Sequence, residues 1–442
     1  MKITVESSKA VKPATSGSGP SVPAGDDVVP LTVFDKVNFD EHILAINFFS
    51  PPAPPNAALK AGLAEALAHY REWAGRIGVD ATGNRVILLT DAGARFVEAV
   101  ADVTLASLMP LEPAPALARL RPSGDGAMEL LLVQVTRFPC GGLAVGYAMH
   151  HAVGDGRATS SFLVSWGQAT RGAAISPVPV HDRVSMFIPR DPPRVEFDHR
   201  SIEFKKPRRH DGGDKVPDGG EAVVVHRVSF SREMVSELKS CSSASTAQPY
   251  STAQCVVAHL WRCITEARML SGGTVTKLHL AVNGCARMRV PKGYTGNMVL
   301  WAQPVTTAGE LAARPLRHAA ELVSRAVARV DERYFRSFVD FASSGAVEKE
   351  GLVPATGAAE VVLCPDVAVY SQLGFPVYDM DFGGGRPFLH MPSYMPEEGV
   401  VFIAPSSSGD GGIDAYVSLF SNAMCVFKSC CYTGLRGSVA RL

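Results

Sequence analysis

The chain has 442 residues, 46% of them hydrophobic and 19% charged, so it can fill two cores and is not a disordered chain. Lys plus Arg and Asp plus Glu both number 43, which leaves no net charge and no basic excess to release phosphate counterions; a nucleic-acid partner is not expected. No apolar run approaches the ~18–20 residues of a membrane span, so no membrane partner is expected either.

The opening MKITVESSKAVKP alternates apolar and polar residues and reads as a first strand, without the apolar core of a signal peptide. Residues 14–27 are rich in Ser, Gly and Pro and predict a surface loop. PPAPPN at 51–56 stops a strand and offers Asn56 as a helix N-cap. Leu59, Leu63 and Leu67 follow at four-residue spacing, an amphipathic helix to about Tyr70. NRVILLTD (84–91) and GARFVEAVA (93–101) read as strands. ELLLVQVTRF (129–138) and GLAVGYAMH (142–150), joined by Pro139-Cys140-Gly141, predict an antiparallel hairpin. After His151 the chain turns through Gly154 and Gly156 into a helix with Phe162, Trp166 and Ala169 on one face.

Prolines puncture residues 172–222, and KKPRRHDGGDK adds an exposed charged stretch, so periodicity is lost and a linker is predicted. Beyond it, strands at EAVVVHRVSF (221–230), KLHLAVNG (277–284), EGVVFIAPSS (398–407) and IDAYVSLF (413–420) alternate with helices. Those helices are REMVSELKSC, TAQCVVAHLWRCITEARML (252–270) and a last one around 421–430. Two similar α/β domains result, 1–175 and 223–442, with 176–222 as crossover linker. The nine cysteines form no C-x-x-C pair and no zinc spacing. They are expected to be reduced and mostly buried, which points to the cytoplasm.

The segment Met149-His150-His151-Ala152-Val153-Gly154-Asp155-Gly156 sets a histidine and an aspartate four apart between a buried strand and a helix. Such a junction exposes a reactive group on a rigid base, and imidazole can take and return a proton near neutrality. Strand alternation turns His150 away, into a core or supporting role. By itself the pair is also compatible with a structural hydrogen bond. The second motif is Asp381-Phe382-Gly383-Gly384-Gly385. D-F-G also marks the magnesium loop of protein kinases, but no H-R-D loop, V-A-I-K strand or glycine-rich ATP loop accompanies it. The plainer reading is a glycine turn with Asp381 in a structural ion pair. No G-x-S-x-G elbow supports a serine hydrolase.

HHAVGDG and DFGGG together, with YREWAGR (70–76), TAQCVVAHLWRCITEAR (252–268) and GYTGN (293–297), resemble the plant BAHD acyltransferases along essentially the whole chain. Within that family the chain looks most like the grass agmatine and tryptamine hydroxycinnamoyltransferases. The resemblance implies two chloramphenicol-acetyltransferase-like domains, each a mixed β-sheet flanked by helices, with a channel between them. It implies a monomer that needs no metal and no permanently bound cofactor. Acyl-CoA as co-substrate and an acceptor meet at His151, the general base of a ternary-complex mechanism. Asp155 and Gly156 then support the loop, as do Asp381, Gly383 and Gly385 at the second motif, with Arg287 matched to the arginine that pairs with Asp381. Gly384 stands where the family usually has tryptophan.

Tyr294, Trp301, Ala368 and Tyr370 are candidates for the substrate channel. Lys205, Lys206, Arg208 and Arg209 read as a solvated run, with the CoA 3′-phosphate as a second possibility. His259 reads as a satisfied core residue. Agmatine-using relatives carry acids where this chain has Ala368 and Tyr370, so the first expectation is an aromatic amine such as tryptamine, tyramine or serotonin. The alternatives are agmatine or putrescine, O-acylation of an alcohol, or a BAHD-like binding or scaffold protein. The resemblance implies a hydroxycinnamoyl or benzoyl group, and the sequence leaves other acyl groups open.

Overall fold

The hairpin predicted on either side of Gly141 is the centre of a mixed sheet. In the computed structural model, which describes residues 1–15, 28–207, 221–243, 248–357, 362–433 and 435, Leu131–Arg137 and Leu143–His150 pair antiparallel with Val135 opposite Val145. Both strands are almost wholly buried, which explains their continuous apolar runs. Outward on one side lie Ala94–Ala101, paired parallel, and Ile3–Val11 at the edge. On the other side His42–Phe49 sets His42 opposite His150, and Leu389–Pro392 closes the sheet with Leu389 opposite Phe48.

The helices Asn56–His69 and Gly156–Thr170 pack together in this unit. Leu59, Leu63, Leu67, Phe162 and Trp166 are its interior, as their spacing predicted, and Trp166 Nε1 donates to Leu59 O at 2.9 Å. Asn56 is not the cap. Pro55 occupies that position without a side-chain bond. The Asn56 amide instead accepts from Arg137 Nε at 2.9 Å and donates to Glu98 at 3.0 Å, tying the helix start to two strands.

A second unit is built on the order Val223–Phe230, Ile413–Phe420, Val400–Pro405, Val367–Ser371, Val275–Asn283 and Val299–Ala302, with Val305–Thr307 paired to Val275–Asn283. Its pairs with Val367–Ser371 are parallel and the others antiparallel. The helix Thr252–Ala267 starts at a capping box between Ser251 and Gln254 and buries Trp261, whose Nε1 donates to Thr276 Oγ1 at 3.2 Å. His259 is a satisfied core residue, 2.7 Å from Cys431 O. Both sheets are mixed and flanked by helices, as expected.

The division of the chain is not contiguous. One unit takes Met1–Asp191, Met288–Met298 and Phe375–Tyr394; the other takes Pro192–Arg287, Val299–Gly374 and Met395–Leu442. The expected boundaries at 175 and 223 therefore need correction: the DFGGG turn belongs with the HHAVGDG loop, because the strand that follows it completes the first sheet. The expected linker is anchored to both units at single buried residues. Arg183 is fully buried in the first unit, and His199 is buried in the second, bonded to Glu203 at 3.1 Å and Ser337 at 3.0 Å. Its prolines destroy periodicity, and buried anchors at Pro179, Arg183, Phe187, His199, Glu203 and Phe204 hold a stretch that is otherwise mostly exposed. Residues 16–27 of the expected loop, and 208–220 with Arg208 and Arg209, lie outside the described residues. All nine cysteines are free; Cys255, Cys263, Cys285 and Cys431 are buried, but Cys140, Cys241, Cys364 and Cys425 are exposed, contrary to expectation. Among the described residues no helix is long and apolar enough to cross a membrane.

Candidate active site

The strand Leu143–His150 ends where its last residue can still pair with His42, and the next amide, His151 N, donates to Glu41 O at 2.8 Å. The chain then reverses over five residues into the helix Gly156–Thr170. Asp155 caps that helix. Its Oδ1 accepts from Arg157 N and Ala158 N, both at 3.0 Å, and its Oδ2 accepts from Met298 N at 3.0 Å. These bonds satisfy helix-end donors and place negative charge at the positive end of the helix. Asp155 is thus committed to the backbone and holds the loop rather than the imidazole. Gly154 is required by close approach, since a Cβ there would stand 2.7 Å from Thr295 O.

His151 is partly exposed, yet its Nδ1 is sealed from solvent and has no hydrogen-bond partner, so Nε2 is the ring nitrogen left accessible. Phe39 packs at 5.7 Å between ring centroids. Burial pushes the imidazole below its ordinary value, against the charges of Asp155 and Asp35, so it is neutral at physiological pH. Burial also pushes the Asp155 carboxyl up, against its three N–H donors. His150 has different neighbours: His42 at 4.9 Å between rings, Asp40 at 3.6 Å, and Ala152 N donating to its Nδ1 at 3.2 Å. Burial, then the nearby His42, hold its pKa at about 4.

Behind His151 lies a polar cluster beyond the HHAVGDG and DFGGG motifs. Asn297, the last residue of GYTGN, donates from Nδ2 to His151 O at 2.7 Å and to Asp35 Oδ1 at 2.8 Å. Asp35 also closes a capping box with Thr32, a T-x-x-D pattern visible in the sequence. Arg183 stands 3.8 Å from both Asp35 and Glu72. No sequence signal distinguishes Arg183 from the other charges of the proline-rich stretch.

At the second motif, Asp381 Oδ1 accepts from Gly383 N at 2.7 Å and Gly385 N at 3.1 Å. These glycines sit at φ 104° and 105°, where a side chain would be strained. The arginine beside Asp381 is Arg171, which lies 3.8 Å from its carboxylate and also donates to its carbonyl. Arg287 is not the partner; it donates to Asn283 O at 2.9 Å. Gly384 explains its departure from tryptophan, because a Cβ would stand 2.0 Å from Pro52 O. Phe382 packs edge-on to Trp166 at 4.7 Å, so the motif supports the helix at the end away from His151.

The first unit brings together His151, Asp155, Gly156, Asp381, Gly383 and Gly385. Tyr294 joins them as a buried residue against Phe187 at 5.8 Å, rather than as a lining residue. Trp301, Ala368, Tyr370 and Arg287 belong to the second unit. Register puts Trp301, Ala368 and Tyr370 on one sheet face, where Trp301 meets Tyr370 at 5.9 Å and Tyr370 stacks on Phe402 at 5.1 Å. Among the described residues no group of three or more His, Cys, Asp or Glu is placed to hold a metal ion.

The sequence matches the Transferase family over residues 1–433. The chain belongs to this family, the BAHD acyltransferases. Acyl-CoA is accordingly its co-substrate, and acyl transfer its reaction class. The chain is 59% identical to agmatine hydroxycinnamoyltransferase 1 of Oryza sativa subsp. japonica, over 98% of this chain and 99% of that one. It is also 59% identical to agmatine coumaroyltransferase-1 of Hordeum vulgare, over 98% and 100%. Tryptamine hydroxycinnamoyltransferase 2 of Oryza sativa subsp. japonica is more distant, at 39% over 91% and 93%. Vinorine synthase shares the fold, with a TM-score of 0.71 at 21% identity over 96% of both chains.

Proposed function

We propose that this BAHD acyltransferase moves a hydroxycinnamoyl group from its CoA thioester to the primary amine of agmatine. The geometry that carries the chemistry is His151, a buried-side neutral imidazole with one accessible nitrogen at the end of a rigid strand. Nε2 takes a proton from the amine as nitrogen attacks the thioester carbonyl. The tetrahedral intermediate then breaks its C–S bond, and the imidazolium returns the proton to the departing CoA sulfur. An amide and free CoA result.

The 59% identity to two agmatine transferases supports agmatine over the aromatic amine expected first. The absence of acids at Ala368 and Tyr370 is what keeps tryptamine as the second reading. A panel of agmatine, putrescine, tryptamine and tyramine with p-coumaroyl-CoA, followed by thiol release, decides. We expect kcat/KM for agmatine to exceed that for tryptamine at least tenfold. The reverse order selects the second reading, and no CoA release with any amine or alcohol selects a binding protein.

A further inference from the structure

We propose that Asn297, locked in place by Asp35, is a positioning residue that keeps the proton of neutral His151 on Nδ1 and leaves Nε2 as the proton acceptor. The inference rests on the reading of His151 as the base, not on the choice of acceptor. Both hydrogens of the Asn297 amide are already used, one toward Asp35 Oδ1 at 2.8 Å and one toward His151 O at 2.7 Å. Both partners only accept. Turning the amide over would set its oxygen against a carboxylate and a carbonyl, so its orientation is fixed.

That orientation leaves Asn297 Oδ1 as the free end, and it is buried without a partner. His151 Nδ1 is buried without a partner as well. One orphan is an acceptor, and the other becomes a donor in one tautomer; buried orphans of this kind are costly unless they serve each other. The Asn297 side chain and the His151 carbonyl both raise the proton affinity of the ring, against its burial. Asp155 cannot take this role, since its oxygens receive three backbone N–H groups.

Asp35 is well suited to anchor the amide. Its Oδ1 also accepts from Asn297 N at 3.2 Å, and its Oδ2 accepts from Thr32 N at 2.8 Å and Thr32 Oγ1 at 2.9 Å. Arg183 lies 3.8 Å away on the other side. The carboxylate is therefore fixed from the helix start, from the GYTGN turn and from the proline-rich stretch. It sets the tautomer through Asn297 without touching the ring.

The test is a long-range ¹H–¹⁵N spectrum of the full chain with ¹⁵N-labelled histidine at pH 7.5, the His151 signals being those lost in His151→Gln. We expect a protonated Nδ1 and an unprotonated Nε2; the opposite tautomer in the unmutated protein overturns the proposal. This measurement needs no substrate, so it is independent of the acceptor assignment. In Asn297→Ala we expect a mixture of tautomers and a kcat at least tenfold lower, with both KM values within threefold. An unchanged kcat, or a loss carried by KM, overturns the positioning role. Asp35→Asn, whose amide no longer dictates the orientation of Asn297, should move kcat and the tautomer signals in the same direction. If Asn297→Ala does not fold, the spectrum of the unmutated protein still decides.

Discussion

Two adjacent histidines end one strand, and their surroundings give them different work. His150 has Asp40, His42 and the Ala152 amide around it and a pKa near 4, so it stays neutral and fixed. His151 has one sealed nitrogen and one accessible one. His151→Ala should therefore lower kcat by at least about 10²-fold, the range for losing a positioned general base. His150→Ala should keep kcat within about tenfold while lowering Tm, because it loses packing and not the proton acceptor. Steady-state rates for the two purified variants separate them, and similar losses would remove the distinction between the two histidines. The sequence carried this site only in part. His151 was legible because strand, glycine turn and helix follow one another. Asn297 and Asp35 were not, because their contact spans 262 residues and depends on which amide face turns inward.

At the scale of the element, what was legible was what is periodic. The hairpin and the Leu59–Leu63–Leu67 helix bury one chemically uniform face each, and they lie where spacing put them. The stretch from 172 to 207 has no period, and its order comes from single polar anchors instead. His181 Nδ1 to Glu72 at 2.7 Å is one of them. Burial alone would raise the Glu72 carboxyl, but the hydrogen bond and charge of His181, with Arg183, bring it down to about 2. His181 is raised by the same bond, against its own burial. The depressed carboxyl contributes stability above its ordinary value of 4.5 that is lost as pH falls toward 2. The raised imidazole contributes stability that is complete below its ordinary 6.5 and is lost as pH rises through its folded value. Glu72→Gln should therefore cost the most Tm near pH 5.5, and less at pH 3 and pH 8.5. Thermal melts at the three pH values check this, and an equal difference at all three would remove the pair from the account.

At the scale of the whole molecule, the two-domain α/β class was legible from the mixed strand and helix content of both halves. The interleaving was not: Leu389–Pro392 joins a strand more than 300 residues earlier, and nothing in a four-residue segment announces its partner. The reaction tests the molecule as a unit through its pH dependence. With agmatine as the proposed acceptor, its primary amine titrates near the lysine reference of about 10.4, so the attacking free base would grow about tenfold per pH unit below that value. A histidine at its reference of about 6.5 would add a second proton loss, and the logarithmic slope of kcat/KM would steepen from one to two below pH 6.5. Burial holds His151 below its ordinary value, so it is already neutral there. The slope should accordingly stay at one from about pH 9 down through 6.5, and steepen only at lower pH. Steepening at 6.5 would mean that His151 is not desolvated as described. A profile flat from 7.5 to 9.5 would mean that no amine is being deprotonated, and the acceptor would then be an alcohol.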